Sequence, residues 1–231
     1  MESAESVDNK NMQLWPLEDP FHTLPIGGNT LAEWLSSGHL TQDQLDAIQY
    51  PWQILDLHKA LLETLADQAS ETPAHLVGDA TLIAGENTNI LPGVVVEGLV
   101  VIGPHCKVGP NCYLRGPISI GHHCHVGQAV ELKNTILGNN TNVGHLSYVG
   151  DSILANQVNL GAGTITSNLR HDGKNHRSAV DGQIIDTGRR KFGTIIGNNV
   201  HTGIHTSLYP GRKLGPHTST LPGEIVSKDK T

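Results

Sequence analysis

From Leu76 onward, aliphatic residues recur at intervals of about six, most of them followed by glycine. The pairs are Val77-Gly78, Ile102-Gly103, Val108-Gly109, Ile120-Gly121, Val126-Gly127, Leu137-Gly138, Val143-Gly144, Val149-Gly150, Leu160-Gly161, Ile196-Gly197 and Leu214-Gly215. Leu114, Leu132, Leu154, Thr202 and Leu208 keep the same phase without the glycine, and the intervals from Leu132 to Leu137 and from Val149 to Leu154 run one residue short. A period of six belongs to neither an amphipathic helix nor a half-buried strand. Three sixes make a coil of about 18 residues, and stacked coils make a parallel β-helix of triangular section. The aliphatics point inward, and Gly or Asn supplies the unusual backbone angles of the corners. The phase breaks between Ser167 and Thr194, where a polar, basic stretch predicts a hairpin-like loop excluded from the prism.

Before Leu76 the pattern is helical. Asn29 or Thr30 can cap a helix over Leu31–Leu35, Thr41 opens a second, and Pro51 sits at the first position of a third. Ile54, Leu55, Leu57, Leu61, Leu62 and Leu65 mark one face of that last helix. The reading is mainly β: a disordered tail over 1–12, a small helical segment and linker over 13–74, and a β-helix over 75–231 with an insertion at 168–194. The helical segment is expected to cap the first coil.

Composition narrows this picture. Aromatics are 4% and glycines number 26, which disfavours a helical bundle. No apolar run is long enough for a membrane span. Cys106, Cys112 and Cys124 have no zinc-type spacing and read as structural thiols of a reducing compartment. With the polar, acidic start MESAESVDNKN, this predicts a cytoplasmic protein. A net charge of −7 argues against general nucleic-acid binding. Yet Arg170, Lys174, Arg177, Arg189, Arg190, Lys191, Arg212 and Lys213 crowd into residues 161–215 against Asp172, Asp181 and Asp186. That stretch is either a solvated basic face or a site for phosphorylated small molecules.

The blocks YLRGPISIG, HVGQAVELKN, VGHLSYVGDS, NLGAGTITSNLRHDGK and GRRKFGTIIG, in that order, carry a family resemblance. From Arg115 to Ile225 the chain resembles the acetyltransferase domain of bifunctional glucosamine-1-phosphate acetyltransferase/N-acetylglucosamine-1-phosphate uridyltransferases, the archaeal sugar-1-phosphate nucleotidylyltransferase form above all. YPWQILDLHKALLE resembles the helix joining the two domains of those enzymes. The resemblance implies a left-handed β-helix, a homotrimer with sites between prisms, and acetyl transfer from acetyl-CoA to an amino-sugar phosphate without a metal. It implies His145 as the base, Arg115, Lys133 and Lys191 on the phosphate, and Tyr148 and Asn159 on the sugar. The Ala162 N–H and Gly163 fall at the acetyl-CoA position. Ile204 and Pro222 depart from the small residues that line the bacterial CoA channel. Only about 50 residues precede the joining helix, without a Gly-rich, Arg-containing loop, so uridyltransferase activity is expected to be absent.

Two other readings stay open. One is a β-helical carbonic anhydrase with zinc held by histidines among His122, His123, His125, His201 and His205. The other is a sugar-phosphate-binding or assembly module without catalysis. A related acceptor, galactosamine 1-phosphate or a nucleotide-linked amino sugar, would use the same residue types.

Overall fold

The computed structural model describes residues 14–231; the tail expected over 1–12 lies outside the described residues. From His75 the chain winds a parallel β-helix of about eight turns. His75–Ala84, Val95–Ile102, Tyr113–Ile120 and Glu131–Leu137 each run along a first face and bend into a second. Tyr148–Gly150, Ile165–Thr166, Ser207–Leu208 and Ile225–Val226 continue the first face, and Ile153–Leu154, Thr194–Ile196 and Arg212–Leu214 the second. Asn89–Ile90, Lys107–Val108, His125–Gln128, Asn142–His145 and Asn159–Leu160 form the third.

The six-residue phase is the inside of this prism. Val96, Leu114, Leu132, Val149 and Leu208 stack below the first face, and Val108, Val126, Val143 and Leu160 below the third, all buried. The short interval after Leu132 appears as a register shift: Arg115 pairs with Lys133, but Ile118 pairs with Thr135. Val77 is a correction. It pairs with Glu97 in the outward column and is 42% exposed, because the first coil has its own register shift between Val77 and Thr81. Cys106, Cys112 and Cys124 are free, buried thiols donating to the carbonyls of Gly121, Gly127 and Gly138.

Glycines mark where coils touch. A Cβ at Gly127 would lie 1.8 Å from the Gly144 carbonyl oxygen of the next coil, whereas a Cβ at Gly144 would meet nothing within 4 Å. Gly127→Ala is therefore expected to cost about 2 kcal/mol. Gly144→Ala should be nearly neutral, and chemical denaturation of the pair checks the contrast.

Among the described residues, four short α-helices precede the prism: α1 (Pro20–Thr23), α2 (Leu31–Ser36), α3 (Gln42–Asp46) and α4 (Ile54–Glu63). Thr30 and Glu33 form a reciprocal capping box on α2, and Thr41 and Gln44 one on α3. Helices of this length do not stand alone. They share a core in which Trp34, Trp52, Ile54, Leu61 and Leu62 pack with Val101, Ile136, Ile153 and Ile195 of the second face. The helices therefore lie along the prism's flank, and the end of the segment reaches the first coil, where the Ser70 N–H donates to Leu82 O and Ala74 packs on the prism core. The reason for the flank contact is the outer column of the second face, which is aliphatic where that of the first is charged, and apolar surface of that extent requires cover.

The insertion leaves the prism after Ile165–Thr166 and returns at Thr194–Ile196. It contains an antiparallel hairpin, Arg177–Val180 with Gln183–Asp186. Phe192 closes it, buried with its ring 6.0 Å from Trp52, and Arg189 pairs with Asp56 of α4.

Candidate functional site

Where the third face turns into the first, backbone hydrogen bonds tie one coil to the next. The N–H of Leu146 donates to Gln128 O (3.0 Å), that of Gly163 to His145 O (3.0 Å), that of His205 to Ala162 O (2.8 Å) and that of Gly223 to Ile204 O (2.8 Å). Gln128, His145, Ala162 and Ile204 thus stand one above another along this corner. His145 is exposed, and its ring makes no hydrogen bond among the described residues. The Ala162 N–H, one coil on, has no acceptor among them either. Gly163 has a positive φ of 73°, and a Cβ there would sit 2.6 Å from His205 Nδ1. The bare backbone at 163 is what admits the His205 imidazole beside the Ala162–Gly163 turn.

The first face carries the second group. Glu97, Arg115, Lys133 and Gly150 are in register in one outward column; Tyr113, Glu131 and Tyr148 form the other. Arg115 donates to Glu131 at 2.9 Å and lies 3.6 Å from Glu97. Lys133 Nζ lies 3.0 and 3.1 Å from the two carboxylate oxygens of Asp151, a side chain only 4% exposed. Asn134 and Asn168 also donate to that carboxylate, and Asn168 Nδ2 is 2.9 Å from Tyr148 Oη. Burial, and then the Asp151 charge, push the Tyr148 phenol above its ordinary pKa. It therefore stays protonated and can donate. Gly150 makes room for it: a Cβ there would lie 2.3 Å from Tyr148 Oη.

This grouping has three carboxylates against two cations, so within one chain it is not a positive cradle. Lys191 is exposed at the base of the insertion, bridged through its backbone to Leu169, and makes no ion pair among the described residues. Asn159 points outward on the third face between Asn142 and His201.

The chain thus brings Arg115, Lys133 and Tyr148 together in successive coils, and His145, Ala162 and Gly163 together at a corner. The side chains of Asn159 and Lys191 make no hydrogen bond to either group among the described residues, although Lys191 directly precedes Phe192, whose N–H donates to Asn168 O. Asp151 and Asn168 join the first-face network without having been singled out. Both lie inside quoted blocks, Asn168 in NLGAGTITSNLRHDGK and Asp151 in VGHLSYVGDS, where it follows a repeat glycine and reads as an ordinary corner residue. Among the described residues no group of three or more His, Cys, Asp or Glu is placed to hold a metal. Nor is any helix among them long and apolar enough to cross a membrane.

Comparison with known proteins supplies the class. The sequence model of the GMPPB C-terminal domain matches residues 96–217, and the chain belongs to that family. It is 38% identical over 181 residues to the bifunctional sugar-1-phosphate nucleotidylyltransferase/acetyltransferase of Sulfurisphaera tokodaii, covering 78% of this chain and 45% of that one. It is 37% identical over 180 residues to the bifunctional protein GlmU of Methanococcus aeolicus, covering 78% and 44%. With GlmU of Methanococcus maripaludis it shares 35% over 195 residues, covering 79% and 44%. The chain spans less than half the length of these relatives. Its homologues are transferases, and the resemblance carried by the histidine-centred block is to these same proteins.

Proposed function

We propose that this chain is an N-acetyltransferase that moves acetyl from acetyl-CoA to the amine of glucosamine 1-phosphate or a closely related amino-sugar phosphate. The carrying observation is the corner itself: an exposed imidazole without a partner among the described residues stands one coil from a backbone N–H without an acceptor among them. The amine nitrogen attacks the thioester carbonyl carbon, the C–N bond forms, and the C–S bond breaks. His145 takes the proton the amine loses and returns it to the departing thiolate. The Ala162 N–H, beside Gly163, steadies the oxyanion between the two steps. Arg115, Lys133 and Lys191 bind the phosphate, while Tyr148 and Asn159 orient the sugar.

One chain does not gather these groups, which favours a homotrimer with each site shared between prisms. Leu146, Ile165, Ile204, Leu221 and Ile225 are exposed around the same edge. A second copy covering them would remove apolar surface from water. We place this activity in the cytoplasm, in the synthesis of nucleotide-sugar and cell-envelope precursors.

The reading is tested by thiol release from acetyl-CoA with glucosamine 1-phosphate or galactosamine 1-phosphate as acceptor. Release with either supports it, and the preferred sugar names the acceptor. No release with either transfers the case to the binding-module reading. Gly150→Ala probes the sugar side. Its Cβ would meet Tyr148 Oη at 2.3 Å and Asn168 Nδ2 at 2.9 Å, both movable side-chain ends. The expected result is a KM for the amino-sugar phosphate raised about tenfold, a loss of about one hydrogen bond's worth of binding. The KM for acetyl-CoA should be unchanged, and steady-state kinetics with each substrate varied separates the two.

A further inference from the structure

We infer that the insertion carries a nucleotide-binding hollow, fitted to a nucleoside diphosphate moiety. Two cavities adjoin there, of about 480 and 640 Å³, and they share Arg170 and Asp172 as a common wall. The first is walled by Leu169, Tyr209 and Pro210. Tyr209 is 53% exposed and Leu169 44%, so an aromatic ring and an aliphatic side chain stand open. The second is lined by Lys174, Asn175 and Arg177, with Asp186.

The charges in the second cavity are not self-compensating. Asp172 is held by Arg170 through two bonds, Nε–Oδ1 at 2.8 Å and Nη2–Oδ2 at 2.6 Å, and also accepts the Lys174 N–H. Asp186 accepts the N–H of Gly188 at 2.8 Å. Lys174 and Arg177 make no ion pair among the described residues. Arg177 stands opposite Asp186 in the hairpin register, so the three cations exceed the two carboxylates by one, and the hollow offers a flat apolar surface at one end and a net positive group at the other. A nucleobase stacks on the first, and a diphosphate matches the second. A bare sugar phosphate would fill only the cationic half, and an apolar chain only the other.

Position links the hollow to the first face. In register, Ser167 follows Gly150 and Tyr209 follows Ser167, in the outward column that holds Arg115 and Lys133. Ser167 is two coils from Lys133, roughly 10 Å at the spacing of neighbouring strands. An elongated ligand can run from Lys133 to Tyr209 along one face. Two sources have this chemistry: a nucleotide-linked amino sugar and the adenine nucleotide of coenzyme A.

The test is calorimetric titration of the full chain with UDP, ADP and inorganic pyrophosphate, which needs no turnover and so is independent of the proposed reaction. Both nucleotides should bind more tightly than pyrophosphate. Tyr209→Ala should weaken the nucleotides about tenfold or more while sparing pyrophosphate. Lys174→Gln with Arg177→Gln should weaken all three. Absence of nucleotide binding at millimolar concentration, or binding that neither variant alters, overturns the proposal. A further arm rests on the acetyl transfer proposed above and identifies the source. A raised KM in Tyr209→Ala for acetyl-CoA alone assigns the nucleotide of the donor. A raised KM for a nucleotide-linked amino sugar alone assigns that of the acceptor. Either result supports the hollow.

Discussion

His145→Ala is expected to lower kcat for acetyl transfer by about 10² to 10⁴-fold, the range for loss of a general base. Binding of the amino-sugar phosphate and of acetyl-CoA should change little. The structure makes this a clean substitution. The side chain is exposed and makes no hydrogen bond among the described residues, while its carbonyl, which alanine retains, accepts the N–H of Gly163 and the hydroxyl of Ser147. Far-UV circular dichroism and thermal midpoint should therefore match the wild type while thiol release collapses. His145→Asn sharpens the test. Asparagine can hydrogen-bond the amine but cannot take its proton, so it should be as slow as alanine. A variant within about threefold of wild type would remove His145 as the base and leave the corner as a binding surface only, since proton transfer by a positioned group contributes far more than that.

Much of this arrangement was legible in the sequence, and for a definite reason. In a β-helix each inward position touches its counterpart about eighteen residues away, so burial is written as a strict phase. Val108, Val126 and Val143 could be placed before any coordinates. The caps at Thr30 and Thr41 were legible because a reciprocal capping box involves only residues three apart. What lay beyond reach was lateral. The phase says which residues face outward but not what covers them, so the flank contact of the helical segment with Val101, Ile136 and Ile153 is not legible in it. Val77 was misplaced because a register shift inside one strand moves a residue between faces without altering the local Val-Gly signal. Of the site residues matched to a family, His145, Ala162 and Gly163 lie at one corner and Arg115, Lys133 and Tyr148 on the first face, while Asn159 lies on the third face and Lys191 in the insertion. The charge balance among Glu97, Arg115, Glu131, Lys133 and Asp151 depends on cross-coil distances that no local pattern encodes. His58 is the clearest omission. It lies on α4 among leucines, at a helical spacing that reads as an interruption of the apolar face, and it is entirely buried.

His58 is expected to make the helical layer sensitive to acid. Neither ring nitrogen has a hydrogen-bond partner among the described residues. Burial alone pushes its pKa down from 6.5 to about 3. The neutral ring is therefore the folded form, and no stability is lost through this group above the unfolded pKa. As pH falls below about 6.5, the unfolded chain takes up a proton that the folded chain refuses, so stability declines until the folded pKa near 3. By linkage this amounts to about 2 kcal/mol at pH 5 and about 3 kcal/mol at pH 4. His58→Leu should remove that dependence. It should equal or exceed wild-type stability at pH 7, because two unsatisfied nitrogens disappear, and its advantage should widen by those amounts toward acid. Other titrating groups are common to both proteins and cancel in the difference. The three tryptophans, Trp15, Trp34 and Trp52, all precede the prism in sequence. Trp34 and Trp52 are buried in the helical layer and their fluorescence follows it, whereas Trp15 lies against Lys213 and Gly215 of the prism; far-UV circular dichroism includes the β-helix. On acid titration the fluorescence change should come first, and His58→Leu should move it to lower pH without moving the dichroism. A stability difference between the two proteins that stays constant from pH 7 to pH 4 would mean that the His58 ring gains a proton partner or water in solution, and the acid-labile step would then belong to another group.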